Sequence, residues 1–424
     1  MSMKSMNGSN RIVVIGGGAA GMMAAGTAAE LGARVTLIEK NDRLGKKLYI
    51  TGKGRCNVTN DCTCEDFFQN VPRNPRFLYS AVYGFSPREA MAFFQSHGCA
   101  LKTERGNRVF PTTDRSASVI DALRAWLRET GVHVVRETAE RILTQDGAVS
   151  AVRTDGGLHP ADAVIVATGG CSYPLTGSTG DGYRMAGELG HTIVPAVGSL
   201  VPLVEKGYWC KQMQGLSLRN VGVRLVDQKG KTAYSEQGEL LFTHFGLSGP
   251  TILSASAHMK ENMQYQIVID LKPALDEQKL DQRLLRDFEQ YQNRNFENVL
   301  HELLPKAMVP VVVKRSGIDP AQKVHSITRQ ERLALVQLLK HFTLEIACRA
   351  PVEEAIVTSG GVKVSELDPK TMQSKRVAGL FFAGEVIDVD AYTGGFNLQI
   401  AWSTGRAAGK AAAEISRNEQ GETP

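Results

Sequence analysis

Cysteine is scarce in this sequence: 7 in 424 residues, at Cys56, Cys62, Cys64, Cys99, Cys171, Cys210 and Cys348. An odd, dispersed set excludes the stapled framework of a small secreted domain and points to a reducing, cytoplasmic setting. No histidine lies near Cys62 and Cys64 at zinc-ligand spacing, so no metal centre is expected. The chain also lacks any block of one charge. Its 49 Lys and Arg stand against 44 Asp and Glu, a net +5 spread along the whole length, which gives no reason to expect a nucleic-acid partner or an anionic membrane surface. Residues 12–29 carry no charge, yet the glycines at 16, 17, 18, 21 and 26 exclude a membrane span and a secretory signal and favour a tight turn around a nucleotide. Internal repeats and low-complexity tracts are absent as well.

What is present is the balance of a folded globular chain, 42% hydrophobic and 22% charged. At roughly 150 residues per domain the length predicts two or three domains. A short β-branched run at 12–15, an alanine-rich stretch at 19–31, Gly32 as a C-cap and a second apolar run at 35–38 read as a βαβ unit. A parallel sheet is therefore expected. Residues 122–130 look helical, 132–135 extended, and 163–167 form another buried strand. From about Pro195 the pattern alternates, as at Val221, Val223 and Leu225 or Tyr265, Ile267 and Ile269, which predicts antiparallel strands with one wet face. Leu280, Leu284 and Phe288 then recur at helical spacing, and Thr328 with Glu331 makes a capping box. The α/β texture returns after Arg349, ending in an alanine-rich helix over 398–415. The expected fold is α/β: a Rossmann-like nucleotide domain over 1–194 and 346–424, interrupted by a β-rich, barrel-like insertion at 195–275 and a helical one at 276–345.

The chemistry begins at Gly16-Gly-Gly18-Ala19-Ala20-Gly21, a GxGxxG between a strand and a helix, with Glu39 closing the next strand. Gly16 permits the sharp turn, Gly18 lets backbone approach a pyrophosphate, Gly21 allows close packing, and Glu39 accepts hydrogen bonds from a ribose diol. A carboxylate there disfavours a 2′-phosphate, leaving FAD or NAD. Ala19, Ala20 and Lys40 fall beside these positions. The other end of the chain decides between the two: strand 379–383 runs into Gly384-Glu385, followed by Asp388 and by Gly395-Phe396-Asn397-Leu398 opening the last helix. The pattern resembles FAD enzymes of the glutathione-reductase type, in which such a helix points its positive end at the flavin edge that gains negative charge on reduction. Non-covalent FAD is the expected cofactor.

The stretch 45–60, Gly-Lys-Lys-Leu-Tyr-Ile-Thr-Gly-Lys-Gly-Arg-Cys-Asn-Val-Thr-Asn, resembles the hallmark of a bacterial flavoprotein family described as aminoacetone-oxidase-like or bile-acid-reductase-like FAD-dependent oxidoreductases. Segments 238–250, around His244 and Ser248, 358–362 and 382–399 are similar to it too. The resemblance implies an FAD domain with inserted subdomains, Ala167-Thr168-Gly169 passing the FAD phosphates or ribose, and the Ala139 backbone at the adenine. By their own chemistry Lys47, Cys56 and Asn57 are expected beside the flavin, and His244, in a polar, glycine-rich motif, Arg55 and Asn57 are candidate catalytic groups; the cations read equally as pyrophosphate or surface contacts. Segment 177–182 is similar to a Thr-Gly-Asp-Gly turn of fumarate-reductase-like flavoproteins and reads equally as a helix start with Asp181 near the cap.

No second GxGxxG follows Gly21, so NAD(P)H would serve only as a transient donor without a Rossmann domain of its own. The expected activity is hydride transfer through flavin N5 with a small or mid-sized organic substrate, by amine oxidation or enone reduction. The alternative is an RNA-modifying or redox-sensing flavoprotein.

Overall fold

A computed structural model describes residues 10–260, 262–352 and 355–418. The chain divides into two compact units, one comprising residues up to Gly198 together with those from Val352 onward, the other Ser199–Pro351.

The first unit is built on a five-stranded parallel sheet in the order Leu380–Phe382, Ala163–Val166, Arg11–Ile15, Arg34–Ile38, His133–Val135. Its central strands are buried on both faces, which explains why they read as unbroken apolar runs and not as alternation. The first helix, Ala19–Glu30, is buried from Ala20 through Ala28. It is covered by the last helix, Phe396–Asn418, whose Gly405 and Gly409 let the two backbones meet: a Cβ at either position would lie 2.5 or 2.4 Å from the carbonyl oxygen of Ala20 or Ala24. The alanine richness of both segments is thus a packing requirement. Helix Ser116–Glu129 packs Trp126 against Gly26, where a methyl group would come within 2.2 Å of the indole ring. Smaller antiparallel sheets flank this layer, one of Thr59–Asn60, Leu101–Glu104 and Arg108–Pro111, another of Ala139–Gln145, Ala148–Thr154 and Gly157–Pro160.

The second unit is a closed antiparallel barrel of Leu203–Glu205, Gly246–Ser248, Thr232–Phe242, Ser217–Asp227, Tyr265–Asp270 and Phe342–Arg349. Helices Glu277–Gln290, Phe296–Leu300, Val309–Ser316 and Arg329–Lys340 share its core, with Leu280, Leu284 and Phe288 in one cluster with Val223, Leu225 and Ile267. The antiparallel alternation and the Thr328/Glu331 capping box both appear as read: Glu331 N donates to Thr328 Oγ1 at 3.2 Å, and Thr328 N to Glu331 Oε2 at 2.7 Å. Residues 358–361 lie within the strand Val357–Val362, where Gly360 and Gly361 hold positive φ and approach the backbone of Pro195 and Val386. No helix among the described residues is long and apolar enough to cross a membrane.

Candidate functional site

The glycine-rich turn is shaped by contacts that a side chain would break. Gly16 has φ +104°, and a Cβ there would stand 2.6 Å from the Ala167 carbonyl oxygen; one on Gly21 would strike the Gly16 carbonyl at 1.8 Å. Gly18 differs, because a Cβ on it meets nothing within 4 Å. It faces open space at the N-terminus of Ala19–Glu30, where unsatisfied N–H groups and the helix dipole favour an anion.

That space is a cavity of about 1110 Å³ lying wholly in the first unit. It reaches the upper end of the ~300–1,000 Å³ usual for small-molecule sites, as an extended dinucleotide requires. Its wall runs from the glycine turn past Glu39, Lys40 and Ala139, along Ala167, Thr168 and Gly169, to Gly384, Glu385 and the Gly395–Leu398 helix start, and on to Lys47, Arg55 and Asn57. Chain segments hundreds of residues apart thus meet in one concavity.

Its charges are organised in pairs. The buried Glu39 carboxylate accepts from Gly17 N at 2.7 Å and from Asn41 N and Nδ2 at 2.8 and 2.7 Å, which fixes it at the end of its strand. Lys40 Nζ reaches Asp181 Oδ2 at 2.6 Å. Asp181 opens helix Asp181–Glu188 behind a left-handed Gly180; with no side-chain cap bond, it serves as an ion-pair partner and not as the cap. Lys47 Nζ lies 3.0 Å from Glu385 Oε2 and 2.7 Å from Ser172 Oγ. Glu385 Oε1 accepts from Thr358 N at 2.7 Å and Ser172 Oγ at 3.1 Å. Burial pushes the Glu385 carboxyl upward, but the Lys47 charge and these donors outweigh it and hold the group below the ordinary range. Arg55 is braced by Glu104 and Asp114, at 2.8 and 3.2 Å, over the Phe110 ring.

Two polar atoms in this wall are buried without a partner, Asn57 Oδ1 and Thr168 Oγ1. The Thr168 hydroxyl is turned toward Gly182, where a built Cβ would meet it at 2.2 Å. The open Gly18 cradle at a helix N-terminus is what fits the pyrophosphate of a dinucleotide.

Three expected residues stand elsewhere. Cys56 is fully buried in the core behind the wall, its thiol pushed up to about 12 by burial. Asp388 is turned away and accepts from Arg73 and Asn74. His244 belongs to the barrel unit, edge-on to Phe245 in the turn before Gly246–Ser248, and is not part of this cavity's lining. Asn397 lines the cavity, but its side chain is spent on the Ala391–Tyr392 backbone. Sequence reasoning missed Asn107, Arg108 and Tyr392 in the lining. For Asn107 and Arg108 a signal existed: Gly106-Asn107, both at positive φ, is a hairpin-turn dipeptide that delivers them to the cavity.

Residues 10–411 match the family described as HI0933-like protein Rossmann domain. The chain belongs to the HI0933-like family. Among its relatives is the 3-dehydro-bile acid delta(4,6)-reductase of Clostridium scindens, 31% identical over 412 residues and covering 96% of this chain and 99% of the relative. The ribosomal RNA dihydrouridine synthase of Haemophilus influenzae is 29% identical over 96% of this chain and 98% of its own. In fold, the chain is similar to the 3-ketosteroid delta1-dehydrogenase of Sterolibacterium denitrificans, with a TM-score of 0.50, 14% identity, and 96% and 100% of the two chains covered. As a member of the HI0933-like family it is an FAD-dependent oxidoreductase.

Proposed function

We propose that this enzyme saturates a carbon–carbon double bond conjugated to a carbonyl. The observation that carries the reading is the charge of the cavity beside Gly394, where Asn60 Nδ2 touches the Gly394 carbonyl at 3.1 Å. Lys53, Arg55 and Arg108 line that end, and of the lining carboxylates only Glu39, held by Gly17 and Asn41 at the glycine turn, and Asp66 have no cation within 4.0 Å among the described residues. A cationic, donor-rich wall stabilises the enolate oxygen that develops when hydride adds to an enone; it repels the ammonium form of an amine. Amine oxidation is therefore the weaker reading. The names of the bile-acid and rRNA relatives describe this same chemistry on different molecules, a 3-oxo compound unsaturated at carbons 4 and 6, and uridine.

Bound FAD supplies two-electron exchange through N5 of its ring. In the reaction inferred, the carbon β to the carbonyl gains a hydride and the α carbon a proton, with the electrons drawn from NAD(P)H. Within the chain, the glycine turn, Glu39 and the backbone of Ala139 hold the nucleotide end, and Lys40, Lys47 and Glu385 order the middle. The free N–H groups at Gly395–Leu398 present positive potential to the ring. Asn57 Oδ1 accepts from a ring N–H, and Arg55, held by its two carboxylates, donates toward the substrate oxygen. The test is NADPH-driven turnover of a Δ4-3-oxo steroid and of uridine in ribosomal RNA, followed by mass spectrometry. A gain of two hydrogens in either substrate supports the proposal; oxidation of a primary amine with neither substrate reduced refutes it.

A second reading within this class, uridine carried in RNA, is favoured by the state of Lys53 and Arg108. Neither has a carboxylate within 4.0 Å among the described residues, which leaves both cations free to meet phosphate.

A further inference from the structure

The first unit carries a second cleft of about 290 Å³ whose wall includes Glu39 and Asn41. It lies between the strand His133–Val135, at the edge of the parallel sheet, and the C-terminal half of helix Ser116–Glu129. Arg43, Arg124, Arg128 and Arg136 surround it, all exposed. Among the described residues, Arg43, Arg128 and Arg136 have no carboxylate within 4.0 Å, and Arg124 has only the exposed Asp121 at 3.8 Å. The acids in the wall are Asp42 and Glu39, and the Glu39 oxygens are already taken by Gly17 and Asn41.

We infer that this cleft is a phosphate site for the backbone of an RNA substrate, an inference that rests on the RNA reading above. Guanidinium forks match phosphate oxygens in pairs, and four of them around one cleft, with Arg43 over the Tyr49 ring, Arg124 only weakly paired and Arg128 and Arg136 without a carboxylate within 4.0 Å among the described residues, outnumber the two acids of its wall and leave a local positive field. The floor, made of Leu44, Leu127, Val132, Val134 and Val135, offers no aromatic ring for a base and no glycine-rich turn to cradle a nucleotide. The cleft therefore reads phosphates and not bases. At this size it holds little more than a phosphate or two, so the rest of the ligand lies outside it, as in a polymer. Cleft and cofactor cavity share Glu39 and Asn41 at the nucleotide end, so an RNA whose uridine lies at the Gly394 end must run along the first unit for the length of the cavity to rest its backbone here, which a stem-loop can span and a free nucleotide cannot.

The test measures binding of a fluorescent uridine-containing RNA stem-loop to the holoenzyme by anisotropy across a potassium chloride series. Arg124→Ala/Arg128→Ala/Arg136→Ala is expected to weaken binding about tenfold or more and to flatten the log–log salt slope by about 2, since each lost phosphate contact removes roughly 0.7–0.9. The triple Lys variant keeps the charge, so its slope should stay near that of the parent while affinity falls. Flavin content reports that the variants are folded. Equal affinity and slope in the Ala variant, no RNA binding by the parent protein, or competition for the cleft by ADP with no effect on RNA would each overturn the inference. Uridine reduction is followed separately: cleft-dependent RNA binding without reduction fails the RNA reading alone, and reduction with cleft-independent binding fails the inference alone.

Discussion

Gly16 and Gly18 sit two residues apart in the same turn, yet their substitution is expected to do opposite things. Gly16→Ala forces a side chain into φ +104° and to 2.6 Å from the Ala167 carbonyl. Strain of about 1–3 kcal/mol and an overpacking term of similar size both fall on the fold. Gly18 has φ −81° and ψ −166°, an extended conformation open to any residue, and nothing within 4 Å of a Cβ. Gly18→Val therefore costs the apo fold at most about 1 kcal/mol, from a poorer N-cap. Its isopropyl group instead fills the space where the pyrophosphate meets the helix N-terminus. Losing two hydrogen bonds to a charged acceptor, at about 1.5–3 kcal/mol each, weakens FAD by about 3–6 kcal/mol, a factor of 10² to 10⁴. Thermal melts of the two apo proteins and titration of each with FAD separate the effects. The reasoning is refuted if Gly18→Val binds FAD as tightly as the parent, or if Gly16→Ala melts where the parent does.

Two further outcomes follow from the charge pairs. Lys47→Met and Glu385→Gln, compared singly and together in apo-protein melts, should show a coupling of about 1–3 kcal/mol. That is less than the ~3–5 expected for breaking a fully buried pair, because both side chains keep about a fifth to a quarter of their exposure; additive effects would remove the pair from the account. Glu366 is held down to about 2, first by the Arg376 guanidinium and then by Thr192, and it also meets the buried His191 ring at 3.1 Å. A folded-state value below the ordinary 4.5 gives stability that is complete above about 4.5 and is lost as pH falls toward about 2. Glu366→Gln should flatten the stability profile over that window; an unchanged acid limb would assign the acid sensitivity to other carboxylates.

The parts legible in the sequence are those whose cause is local. The glycine turn, the apolar strand at 12–15 and the Thr328 box each occupy a few consecutive residues, and each constraint acts within that span. The alternating strands after Pro195 told of an antiparallel unit because a barrel has one wet face. Closure of the barrel, and the core it shares with the helices that follow, depends on which distant strands pair, and no local pattern records that. The site divides the same way. Gly16, Gly18 and Glu39 announce themselves through spacing, whereas Asn107, Arg108 and Tyr392 enter the cavity only because separate loops converge there. Asp388 and Cys56 show the converse: each sits inside a recognisable motif, but Arg73 and Asn74 claim the one and the core claims the other.

The most direct test of the account is the oxidative half-reaction. Holoenzyme reduced without oxygen is mixed in a stopped-flow instrument with a Δ4-3-oxo steroid, with uridine-containing rRNA and with an imine, the two-electron-oxidised form of an amine, while flavin absorbance near its long-wavelength band is followed. The account predicts that at least one of the two carbonyl-conjugated alkenes restores the oxidised absorbance, with the alkene reduced in equal amount. Reoxidation by the imine, with both alkenes leaving the flavin reduced, would contradict it.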